Sequence, residues 1–221
     1  MFIGHWAPAF VAAALTPERP KLGTFFIAAQ LVDWAFMLFV LVGLEGLRIA
    51  PGITAMNAMD LYHYPYTHSL VGTAAFAAAF ATGVRFVTGN WRGALPAAAV
   101  VASHWLLDLL VHRPDMTLAG GEPKLGLGLW NVPAAEMPLE LALTFGAAWF
   151  FARRTRGPML PLVILCVALL AAQAVDWFGA QPTEYSTSIP LVALSAFTIL
   201  TALAFWVGRM RTVRATSSEK R

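Results

Sequence analysis

The chain has 221 residues, 58% hydrophobic and 12% charged, with a formal charge of +3 and a mean hydropathy of +0.65. Soluble domains carry about 25% charged residues, so this apolar excess excludes a single water-soluble core. The one cysteine, Cys166, lies inside an apolar run and excludes an intrachain disulfide or a thiolate metal cluster, which leaves imidazole and carboxylate as the metal-binding groups.

The opening MFIGHWAPAF has no basic stretch ahead of its apolar residues and no cleavage signal, and is read as retained structure. A short helix is expected at about 3–15, closed by Pro17 and Pro20, with His5 at its start. A long apolar run from Leu22 to Ile49, stopped by Pro51 and Gly52, carries Asp33 near its middle. Further runs at about 66–86, 94–112, 138–152, 159–178 and 187–208 are each bounded by Pro, Gly or charge. Apolar lengths near 20 residues match a hydrocarbon core of about 30 Å. These runs lack period-two alternation, which favours helices over a barrel. The expected fold is all-α: a polytopic integral membrane helical bundle of six to seven hydrophobic helices. It forms one domain over 1–221, with a structured external loop at 113–137 and a basic cytoplasmic tail at 209–221.

Orientation follows from Lys and Arg in alternate connections. Twelve of the fifteen (Arg19, Lys21, Arg85, Arg92 and those from Arg153 onward) fall on one side, and only Arg48, Arg113 and Lys124 on the other. The basic side is expected to be cytoplasmic, with the N-terminus outside and the C-terminus inside, in a bacterial inner (cytoplasmic) membrane. The basic tail then serves topology and anionic lipid rather than nucleic acid.

With that orientation His5, Asp60, His63, His68, Asp108 and His112 all face the outer compartment, while Asp33 and His104 lie deeper. A charged side chain at that depth costs about 2.5–3.5 kcal/mol, so such residues are expected to face partners. His104, Asp108 and His112 recur every four residues in SHWLLDLLVHRPD and share one helix face. In YHYPYTHSL, Pro65 prevents regular helix between His63 and His68 and lets the two imidazoles converge. Each residue alone fits a hydrogen-bonded strut between helices. Together, His5, Asp33, His63, His68, His104 and Asp108 form a mixed imidazole and carboxylate set suited to a divalent metal, zinc first, then manganese or iron. Arg113 with Asp115 reads as a surface ion pair, and Glu136 as a carboxylate complementing a helix start. Glu140 repeats that spacing, and Asp176 with Glu184 reads as an external rim. The glycine-rich GGEPKLGLGLWN matches no phosphate-binding fingerprint, which leaves Lys124 as an anion contact at most.

Gly4-His5, Asp33, His63 with His68-Ser69, and His104 with Asp108 occur in the order of a Gly-His, an Asp-x-Asp, a His-x4-His-Ser and a His-x3-Asp. In this the chain resembles, over about residues 1–115, the YdjM-like family of predicted membrane-bound metal-dependent hydrolases. Leu31 stands where the first Asp of Asp-x-Asp would be, and Tyr64-Pro65 replaces an Arg-Gly. The order is also similar to that of soluble zinc-dependent phospholipases C and related nucleases. That likeness implies Asp33 as bridging ligand or catalytic base. The resemblance implies a metal-dependent hydrolase with metal-activated water, acting on a lipid or phosphoester substrate at the outer face, with membrane lipids as partners. The alternative is a non-enzymatic transporter, ion relay or structural metal-binding protein using the same residues.

Overall fold

The computed structural model describes residues 1–17 and 19–214. The part of the expected basic tail from 215 to 221 lies outside the described residues. The chain is an all-α helical bundle. A 3-10 turn at Ile3–Trp6 leads into α1 (Ala7–Leu15), followed by α2 (Leu22–Leu41), α3 (Leu70–Thr88), α4 (Trp91–Val111), α5 (Pro133–Arg154), α6 (Leu160–Phe178) and α7 (Ser188–Met210). Of these, α2, α3, α4, α6 and α7 are long and apolar enough to cross a membrane. Their outward faces agree: Phe86, Val87, Val167 and Val192 are more than half exposed, a surface that suits lipid rather than water.

The first two segments differ from expectation at their ends. The run read as continuous to Ile49 stops as helix at Leu41. Gly43 turns the chain with φ of 75°, and β1 (Gly46–Ile49) pairs antiparallel with β2 (Met59–His63). Glu45 and Arg48 interrupt the apolar run there, and the chain leaves the helix before reaching them. The fifth helix begins at Pro133 rather than near 138, because a proline at the first helical position lacks only an N–H that would be unbonded anyway. Between α4 and α5, β3 (Met116–Thr117) pairs with β4 (Lys124–Leu125) and a second 3-10 turn spans Leu129–Asn131.

Helix α2 is the most deeply buried of the spans, packed on α4, α7 and α1. The short α1 sits inside the bundle against α5, α2 and α4, and places Trp6 and Phe10 against Phe26. Helices α3 and α4 form an antiparallel pair, and both their starts are capped. Ser69 accepts from Gly72 N–H at 3.0 Å, and Asn90 accepts from Gly93 N–H at 3.3 Å. Gly72 has no room for a Cβ against the Tyr66 carbonyl, so the turn carrying His68 requires glycine there. At the opposite end of the bundle β5 (Thr155–Arg156) pairs with β6 (Thr212–Val213). There the buried Arg211 guanidinium donates to the Gly157 and Pro158 carbonyls, both at 2.9 Å.

Candidate metal centre

Four elements converge at one end of the bundle. The 3-10 turn brings His5, α2 brings Asp33, the residue before the Ser69 cap brings His68, and α4 brings His104 and Asp108. Asp108 is the hub. Its Oδ1 lies 2.9 Å from His5 Nε2, and its Oδ2 lies 3.1 Å from His104 Nε2 and 3.6 Å from His68 Nε2. Asp33 Oδ1 faces His68 Nε2 at 3.2 Å and His104 Nε2 at 3.4 Å. The Met1 amine donates to Asp108 Oδ1 at 3.0 Å. The rings of His5 and His104 stack with centroids 3.7 Å apart. Asp108 and all three imidazoles are essentially buried, whereas the Asp33 side chain retains 17% exposure and is the most accessible carboxylate of the set.

The protons on the far sides of these rings decide what the near sides offer. His104 Nδ1 lies 2.9 Å from the Ala29 carbonyl, which only accepts, so Nδ1 carries a proton and, in the neutral ring, Nε2 offers a lone pair. For His68 the same result comes through two steps. The Thr67 hydroxyl donates to Glu45 Oε2 at 2.6 Å and must therefore accept from His68 Nδ1–H at 2.9 Å. Glu45, itself buried, also accepts the Tyr66 and Thr67 backbone N–H groups, both at 2.9 Å. His112 repeats the pattern, with Nδ1 3.0 Å from Asp115 Oδ1 and Nε2 3.8 Å from Asp108 Oδ1. Tyr64 donates to the same Asp115 oxygen at 2.8 Å. Burial, reinforced by the Asp115 charge, pushes the Tyr64 phenol above its ordinary range and keeps it a donor.

Three Nε2 lone pairs thus point toward carboxylate oxygens, which are also electron-rich. His104 Nε2 is buried with no hydrogen-bond partner at all. A cation among these atoms satisfies all of them, and metal-bound histidines characteristically give their other N–H to a carbonyl, carboxylate or similar acceptor. The residues therefore fit a metal ion. Two trios have ligand atoms mutually within 4.8 Å, His5–His104–Asp108 and Asp33–His68–His104, with His104 common to both.

The structure gathers His5, Asp33, His68, His104 and Asp108 into this cluster but leaves His63 outside it. His63 ends β2 on the exposed edge opposite Gly46, while its neighbour Tyr64 turns inward. The hairpin, unforeseen in sequence, leaves Tyr62 and His63 exposed at the end of β2, and the chain turns inward only at Tyr64. His112 and Asp115, read as peripheral, join the cluster. Asp115 holds both Tyr64 and His112 besides Arg113 at 3.1 Å, so it is more than a surface partner. Asp60 lies above them, paired with Arg48 at 2.6 Å and with Arg113. Glu45 and Thr67 carried no signal in sequence beyond Thr67 preceding His68. Glu140 accepts the Phe2 and Gly4 N–H groups at 2.6 and 2.9 Å and anchors the turn that carries His5. Glu136 is fully buried, and neither of its oxygens has a hydrogen-bond partner. Asp176 accepts from Gln173 at 3.2 Å, and Lys124 is exposed in β4.

Compared with protein-family models, curated protein sequences and solved structures, the chain matches none.

Proposed function

We propose that the chain is a membrane-embedded, metal-dependent hydrolase of the YdjM-like kind, acting on a lipid or phosphoester substrate at the outer face of a bacterial cytoplasmic membrane. The observation that carries the proposal is the convergence of the His68, His104 and His112 Nε2 lone pairs on Asp33 and Asp108. His5, His68, His104, Asp33 and Asp108 would hold the ion, and the imidazole and carboxylate donor set favours zinc over harder cations. A bound ion of this kind supplies Lewis-acid chemistry, making water nucleophilic near neutral pH and polarising a phosphoryl or acyl oxygen.

The chain's own residues supply the rest. Asp33 is partly exposed and tied down on its far oxygen by Gln30 Nε2 at 2.6 Å, which leaves Oδ1 turned to the centre as the proton acceptor. Asp108 and the buried histidines are closed off from water and serve to hold rather than to transfer. Sidedness supports a closed site over a conduction path. Among the described residues, the cytoplasmic-side halves of α2, α3 and α4 carry no carboxylate. The test is elemental analysis of the detergent-purified chain beside a His68→Ala, His104→Ala double variant, followed by phosphodiesterase and lipase assays with and without chelator. About one ion or more per chain, lost in the variant together with chelator-sensitive turnover, is the expected result. Equal metal content in the two proteins overturns it.

A further inference from the structure

Below the candidate centre, at the level of the helices, the bundle is open on one side. Helices α4 and α5 scarcely touch along their length, and the short α1 lies between them as a floor. The result is a cavity of about 640 Å³, within the roughly 300–1,000 Å³ typical of ligand sites. Its walls are wholly apolar: Ala99 and Leu107 of α4, Gly146 and Phe150 of α5, and Val11 of α1 are representative. Along α4 the lining runs from Pro96 to Leu107. At about 1.5 Å per residue that is about 16 Å, close to the half-thickness of a hydrocarbon core of about 30 Å.

The groove's upper end coincides with the centre. Val100 lies one turn from His104 on α4, Pro8 follows His5 by three residues, and Leu143 follows Glu140 by three on α5. Its lower end points toward the end of the bundle that carries Arg92 and Arg153. The opening faces outward at the depth of α4, one of the candidate spans, and the α5 stretch from Leu141 to Ala152 is uncharged. Three occupants compete for such a place. Water is disfavoured by an all-apolar wall. A helix of a second copy is the competing apolar occupant, and the cross-linking arm of the test below separates it from lipid. A hydrocarbon chain entering from the bilayer fits the length, the apolar lining and the outward opening at the depth of a candidate span.

We infer that the α4–α5 groove holds the hydrocarbon tail of an amphiphile entering sideways from the bilayer, with its head group presented to the His5–Asp108 end. This rests on the hydrolase reading for calling the amphiphile a substrate, and narrows that substrate to a lipid rather than a soluble phosphoester. Occupancy of the groove is measurable without turnover or metal, so the two can fail separately.

Gly146 offers the variant. It lines the groove, and a Cβ there meets nothing within 4 Å, so Gly146→Phe fills the space without displacing the fold. Gly83, exposed on α3 and equally unobstructed, gives the matched control Gly83→Phe. The full chain is reconstituted in vesicles of phosphatidylethanolamine and phosphatidylglycerol containing a phosphatidylethanolamine with a mid-chain diazirine. After irradiation, labelled peptides are mapped, and metal content is measured in parallel. The expected result is labelling of α4 and α5 peptides at the groove that excess unlabelled lipid displaces. That displaceable fraction is lost in Gly146→Phe and retained in Gly83→Phe, with equal metal content in all three proteins. Labelling that neither saturates nor responds to Gly146→Phe overturns the inference. So does disulfide-linked dimer formation through Gly146→Cys, which would identify a second copy as the occupant.

Discussion

Replacing Thr67 by valine tests the candidate centre at a residue that touches no ion. The substitution exchanges a hydroxyl for a methyl of similar size, and Glu45 keeps its two backbone N–H bonds from Tyr66 and Thr67, so the loop retains its main anchor. What disappears is the acceptor for His68 Nδ1–H, and Glu45 Oε2 loses the hydroxyl 2.6 Å away. Two outcomes follow for the ring. If Nδ1 keeps its proton, a buried N–H is left unbonded, at about 1–3 kcal/mol. If the proton moves, Nε2–H turns to Asp33 Oδ1 at 3.2 Å and the lone pair is lost. Either way zinc affinity should fall 10–100-fold, about 1.4–2.7 kcal/mol, the usual consequence of removing a partner that orients a metal-bound histidine. Chelator competition on the purified chain measures the change, and Thr67→Ser should restore wild-type affinity. A metal-free melting curve close to wild type separates this from unfolding. Wild-type zinc affinity in Thr67→Val would refute the proposed role of the Glu45–Thr67–His68 chain.

Two further outcomes are expected. Asp33→Asn preserves shape and the Gln30 contact region but removes the proton acceptor. Turnover should fall by about 10²–10⁴, the range for a general base, while most of the bound metal remains; loss of metal with no separate effect on turnover would make Asp33 a ligand only. Arg211→Ala leaves the Gly157 and Pro158 carbonyls unbonded and should destabilise the chain by about 1.5–3 kcal/mol. A thermal melt in detergent reads this, and because Arg211 lies at the opposite end of the bundle, unchanged metal content completes the expectation.

Much of the architecture was legible because membrane helices announce themselves through length and composition alone. Each of the seven expected segments corresponds to a helix, the second ending at Leu41 rather than Ile49 and the fifth beginning at Pro133 rather than near 138. The β1–β2 hairpin was not read from the sequence, where Leu44, Leu47 and Ile49 continue the α2 run; the Gly43 turn and the partner strand thirteen residues on make the segment extended. The same gap misplaced His63, which the hairpin leaves exposed at the end of β2. Within the centre, His104 and Asp108 could be paired from helical spacing, and His68 from its place before a cap. Glu45 could not, because its contact with Thr67 crosses 22 residues and a hairpin. His112 shares the spacing of Asp108, yet its part depends on Asp115 taking its Nδ1 proton after the helix has ended.

The choice between a polar strut and a ligand set turns on where the histidine protons point. Struts would aim N–H groups at Asp33 and Asp108, giving each buried carboxylate a donor. Here the Nδ1 protons go to the Ala29 carbonyl, Thr67 and Asp115, away from both carboxylates. Asp108 is left with the Met1 amine, and Asp33 with Gln30, while the Nε2 atoms of His68 and His104 approach carboxylate oxygens to 3.1–3.6 Å. With neutral rings such buried contacts are repulsive, so a positive charge, a metal ion or a second ring proton, is required there. One extra proton on His104 would relieve that ring alone. A single divalent ion would reach His68, His104 and both carboxylates together, whereas protonation would have to charge both rings.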